Sequence, residues 1–110
     1  MAVTLTTAAE TALATLKQGL QQIYGARLRK LMLFGSQARG VAGPDSDIDV
    51  AVILDGPINT GQEIARTSHL RQRIILETEQ LVSLLYLTEE TLRDGQRLIY
   101  RNIRQDGQEL

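Results

Sequence analysis

Apolar residues along this chain switch spacing several times, and each switch marks an element. Leu13, Leu16, Leu20 and Ile23 recur at helical spacing. Thr7-Ala8-Ala9-Glu10 has the form of a capping box, and Gly25 follows the last periodic residue where helices end. These signals predict a helix over residues 8–24. Leu28 to Phe34, with the apolar centre Leu31-Met32-Leu33-Phe34, reads as a short buried strand closed by Gly35-Ser36. Gly40 to Ser46, with two glycines and Pro44, reads as a loop. Ile48 to Leu54 is rich in β-branched residues and reads as a second strand, ended by Asp55-Gly56-Pro57. Asn59 or Thr60 can cap a second long helix over 61–78, carrying Ile64, Leu70, Ile74 and Ile75. Leu81 to Leu87 is a third strand. From Thr88 the pattern is helical, broken near Asp94-Gly95 and ending at Asp106-Gly107. The order α-β-β-α-β-α predicts an α/β (α+β) domain over residues 1–110, a small mixed sheet with helices packed on one side.

Composition narrows the chemistry. The chain has 110 residues, 43% apolar and 23% charged. A chain of this length buries roughly two-thirds of its unfolded surface, enough to fold without staples. It has no cysteine, which excludes a disulfide framework, a Cys-ligated zinc and a thiol nucleophile. A net charge of -1 gives no bulk attraction to nucleic acid or anionic lipid. With one Phe, three Tyr and no Trp, a stacking surface for single strands is not expected either. No apolar run approaches a membrane span, and Met1 to Thr7 has neither the basic nor the apolar region of an export signal. The expectation is a cytoplasmic protein without membrane contact.

Two short segments carry candidate chemistry. Gly35-Ser36 follows a buried strand and precedes Gln37-Ala38-Arg39, which can open a short helix. Free backbone N–H groups at such a bend favour an anion. Glycine admits close approach to the backbone, the serine adds a donor, and Arg39 offers a planar fork suited to phosphate. Taken alone, Gly-Ser is ordinary turn punctuation, and neither a Walker lysine nor G-x-G-x-x-G is present. Asp47-Ile48-Asp49 opens the second strand. Alternation puts both aspartates on one face, about 6–7 Å apart at the backbone, within reach of one hard cation such as Mg²⁺. Taken alone, the pair is equally a charged strand end. Together, a phosphate cradle and a cation-binding acid pair on adjacent strands are the parts nucleotidyl transfer requires.

Leu33-Phe34-Gly35-Ser36, Ala38-Arg39-Gly40 and Asp45-Ser46-Asp47-Ile48-Asp49-Val50 resemble the signature of the DNA polymerase beta superfamily, closest to its MNT-type minimal nucleotidyltransferases. That signature is Gly-Ser, ten residues, then Asp-x-Asp; here Gln37 to Ser46 are the ten. The resemblance implies that Gly35 and Ser36 bind the β- and γ-phosphates of a nucleoside triphosphate, with Arg39 nearby. It implies that Asp47 and Asp49 are catalytic and hold Mg²⁺. The implied reaction transfers a nucleoside monophosphate, AMP from ATP, to a protein hydroxyl. The implied partner is a HEPN-domain toxin, for which this chain would be the antitoxin.

One departure matters. Active members usually carry a third carboxylate on the strand after the second helix, and the aligned position is Ser83. Glu77 and Glu79 lie just upstream, at the helix-to-strand junction, off the register needed. Two readings therefore stand: a transferase, or a degenerate nucleotide-binding module that neutralises a partner by contact alone. Residues after the Asp pair are consumed by the remaining elements, so an acceptor must be positioned by another chain or by a homo-oligomer. Arg93, Arg97, Arg101 and Arg104 form a basic stripe, read as a solvated helix face or as a docking surface. His69 reads as a surface or satisfied core histidine. Tyr24, Tyr86 and Tyr100 read as packed rings with polar tips near water.

Overall fold

The computed structural model describes residues 5–40 and 47–110. Residues 41–46 of the expected loop, including Pro44, Asp45 and Ser46, lie outside the described residues, as do residues 1–4. The first helix, α1 (Thr7–Tyr24), begins one residue earlier than the capping box suggests. Its N-cap is Thr6, whose hydroxyl accepts the Ala9 N–H at 3.1 Å. A short 3-10 turn follows, then β1 (Leu28–Phe34) and the five-residue α2 (Gly35–Arg39). Next come β2 (Ile48–Leu54), α3 (Thr60–Thr78, capped by Asn59) and β3 (Val82–Leu87). α4 (Glu89–Asp94), α5 (Leu98–Asp106) and the two-residue β4 (Gln108–Glu109) complete it. The break near Asp94-Gly95 thus separates two helices, and the strand β4 is an element the apolar pattern does not announce.

The sheet is mixed, in the order β3-β2-β1-β4. β2 runs antiparallel to β1 and parallel to β3, while β4 pairs antiparallel with β1. On one face, Ile48, Val50, Val52 and Leu54 of β2 pack with Leu13, Leu16 and Leu20 of α1 and Leu70 and Ile74 of α3. This is the expected core, and both long helices lie on this side. Ile64 and Ile75 of α3 are exposed, so only Leu70 and Ile74 of the four expected apolar positions face the sheet.

The other face is not bare. Ala51, Ile53, Leu87 and Ile103 form a second, smaller cluster joined by Met32, Phe34, Leu85, Leu92 and Tyr100. The one-sided arrangement therefore holds for α1 and α3, while α4 and α5 cover part of the opposite face. The reason is visible in β2, whose residues from Val50 to Leu54 are all buried. A strand apolar on both faces needs two layers. Arg104 belongs to this second layer, donating to the carbonyls of Leu92 and Gly95 at 2.7 and 2.9 Å and tying α5 to the end of α4. Arg93 forks onto Asp94. Of the basic stripe, only Arg97 and Arg101 stand exposed without such a contact.

Candidate active site

The site is built at the end of the sheet where β1 leaves and β2 enters. In the β1–β2 ladder Phe34 pairs with Asp49, so the residue after Phe34 turns directly over the aspartate. That residue is Gly35, at φ +72°, a left-handed conformation that a side chain makes costly. A Cβ built on Gly35 would lie 2.6 Å from Oδ2 of Asp49. A side chain here would push the Asp49 carboxylate aside, on top of the strain of the left-handed backbone. Ser36 and Arg39 follow within α2. Because that helix is only five residues long, close approach to the bend, rather than a long helix dipole, would favour a phosphate here.

Alternation along β2 works as the sequence suggests. Ile48 and Val50 face the α1–α3 core, and Ala51 and Ile53 face the α4–α5 cluster. Asp49 shares the face of Ala51 and Ile53 and is half-buried. Asp47 is exposed, one residue ahead of the strand. Burial pushes the Asp49 carboxyl above its ordinary range, the Asp47 charge pushes it further, and the Arg39 guanidinium opposes both. Asp47, Asp49 and Arg39 thus share one electrostatic environment, with the Gly35 bend in contact with it. Among the described residues the Asp49 carboxylate makes no hydrogen bond and no ion pair. Ser83 pairs with Asp49 across the parallel β2–β3 ladder and is half-buried.

The remaining singled-out residues lie elsewhere. His69 is exposed on α3. Tyr24 and Tyr86 differ from expectation, because their hydroxyls are tied inside the protein. Tyr24 donates to Glu63 at 3.1 Å, and the Tyr86 hydroxyl lies 2.6 Å from that of Thr67. Glu63 itself, 1% exposed, carries no signal in the apolar pattern. Its spacing from Thr67 and Leu70 on the buried side of α3 was the available clue.

Residues 13–108 match the sequence profile of the nucleotidyltransferase domain. The chain belongs to this nucleotidyltransferase family. A search of curated proteins returns no significant match. Solved structures share the fold. A toxin–antitoxin complex with AMP-PNP aligns with a TM-score of 0.63 at 21% identity, over 87% of this chain and 69% of that one. The MntA–HepT toxin–antitoxin complex aligns at 0.57 and 18%, over 91% and 69%. A tri-AMPylated HEPN toxin from Shewanella oneidensis in complex with an MNT antitoxin aligns at 0.58 and 18%, also over 91% and 69%. The mixed sheet with its helices is thus the nucleotidyltransferase fold.

Proposed function

We propose that the chain is a Mg²⁺-dependent nucleotidyltransferase that moves AMP from ATP onto a protein hydroxyl, as the antitoxin of a HEPN-type partner. The observation that carries this reading is the contact of the Asp49 carboxylate with the Gly35 bend. It brings a carboxylate that could serve a cation against a left-handed glycine bend whose backbone carries no side chain, which supports a cation-bound phosphate at this point. Two carboxylates sharing one environment, all-oxygen donors, fit a hard divalent cation. When bound, Mg²⁺ would neutralise triphosphate charge between Asp47 and Asp49. The Gly35 backbone would admit the phosphates, the Ser36 hydroxyl would donate to them, and Arg39 would balance their charge from the rim. The acceptor oxygen would attack the α-phosphorus; the bond from that phosphorus to the bridging oxygen would break. Pyrophosphate would leave, and the hydroxyl proton would pass to solvent or a base.

The relatives' AMP-PNP and AMPylated toxin support the choice of nucleotide and acceptor. The test is incubation of the chain with labelled ATP, Mg²⁺ and its HEPN-type partner. Label should enter the partner and vanish with Asp47→Ala or Asp49→Ala. The non-catalytic reading is favoured by Ser83 beside Asp49. It predicts neutralisation of the partner that persists in both variants with no label transferred.

A further inference from the structure

Nucleotidyl-transfer sites that use two divalent ions hold them about 3.5–4 Å apart, with ligands enough for both. Here the supply can be traced strand by strand. β1, β2 and β3 present Phe34, Asp49 and Ser83 in one line across the sheet. Leu85 and Leu87, the next residues of the same alternation on β3, pack in the α4–α5 cluster with Ala51 and Ile53. Ser83 therefore projects to the same face as Asp49. Neighbouring strands are about 4.8 Å apart, so position 83 is where another side chain could reach an ion held by Asp49. It is a short neutral hydroxyl. Among the described residues, no group of three or more His, Asp or Glu side chains is placed to hold a metal ion.

We infer that this site holds one divalent cation per bound triphosphate, and that Ser83 is the position at which a second is lost. The inference rests on the proposed triphosphate site and specifies its metal content. Asp47 and Asp49 supply anionic oxygens for one ion, with phosphate oxygens and water completing its shell. Among the described residues, a second ion would have to share Asp49 with no carboxylate opposite it to complete its shell, and a serine hydroxyl is only a weak neutral ligand. A carboxylate at position 83 removes that deficit.

The test counts ions rather than turnover. The full chain is titrated with Mn²⁺ at saturating non-hydrolysable ATP analogue, and bound ions are read from the loss of the free-Mn²⁺ electron paramagnetic signal. The wild type should hold one Mn²⁺ per chain and Ser83→Asp two, with Ser83→Ala unchanged at one. Ser83→Glu is the second acidic variant, and circular dichroism shows which of the two is folded. Two ions in the wild type overturn this inference alone and leave the triphosphate site standing. One ion in a folded Ser83→Asp and a folded Ser83→Glu overturns it as well. No nucleotide-dependent Mn²⁺ in the wild type overturns the triphosphate site itself, and the inference with it.

Discussion

Two carboxylates in this molecule live under opposite rules. Glu63, on α3, is almost fully buried and has every partner it needs. It accepts from the Tyr24 hydroxyl at 3.1 Å and from Arg66 at 3.0 Å, and Arg27 stands 3.6 Å from its other oxygen. Burial first, then the Glu63 charge, keep the Tyr24 hydroxyl protonated far above its ordinary range, so it remains a donor. Asp49 is only half-buried, yet among the described residues the charges that act on its carboxyl are another acid, Asp47, and the exposed Arg39. A paired buried acid closes a structure. An acid held against a left-handed glycine and beside a second acid, as Asp49 is, is the kind of group the proposed cation site requires.

Breaking the two regions should break different things. The largest effect belongs to the acid pair. Asp47→Ala or Asp49→Ala should reduce labelled AMP transfer by at least ~100-fold, while circular dichroism stays native. A variant that keeps activity within a few-fold contradicts the division. Next, Glu63→Ala should cost about 2–3 kcal/mol in denaturant unfolding, because it strands Tyr24 and two arginines. Partial exposure of those arginines keeps the figure below that of a fully buried pair. Nucleotide affinity in the folded fraction should stay unchanged; a loss there would couple the two regions.

Gly35→Ala should sharpen the comparison, since it strains the bend and displaces Asp49 at once. The expected stability loss is about 1–2 kcal/mol, and isothermal titration should show ATP affinity falling on the order of 10-fold. Wild-type affinity in that variant would mean that the bend does not bind phosphate.

The smallest effect is one of pH. The folded-state pKa of Asp49 is raised, so its ionisation opposes folding. The protonated form favours the fold below the unfolded pKa, and that advantage is lost as pH rises through the folded value. Asp49→Asn should therefore raise Tm at neutral pH by on the order of 2–4 °C, modest because the group is partly solvated. The gain should shrink as the pH falls into the carboxylate range. A constant gain at all pH values would point to packing instead.

What the apolar spacing reveals is local. β1 and β2 are apolar runs closed by Gly35 and by Asp55-Gly56-Pro57, β3 is an apolar run before the helix cap Thr88, and the structure places each within a residue of expectation. The candidate site is legible as far as its placement goes, because Gly-Ser and Asp-x-Asp sit at strand ends, where alternation decides which way side chains point. Ser83 was legible for the same reason. The second apolar layer was not, because α5 buries only Ile103 fully and reads as a basic helix. β4 was missed because two residues carry no period, and its pairing is set by backbone contacts with Met32 and Leu33. The Glu63 network is not legible because helical spacing with Thr67 and Leu70 hints only at burial, while the partners that satisfy the charge, Tyr24 and Arg27 above all, are distant in sequence.

The central claim is that Asp47, Asp49 and the Gly35-Ser36 bend meet on one cation-bound triphosphate. Calorimetric titration of ATP with Mg²⁺ and with EDTA, in the wild type and in the Asp47→Asn/Asp49→Asn double variant, tests it most directly. The account predicts that Mg²⁺ tightens ATP binding by roughly 10-fold or more in the wild type and has no effect in the double variant. Equal affinity with and without metal in the wild type would contradict it.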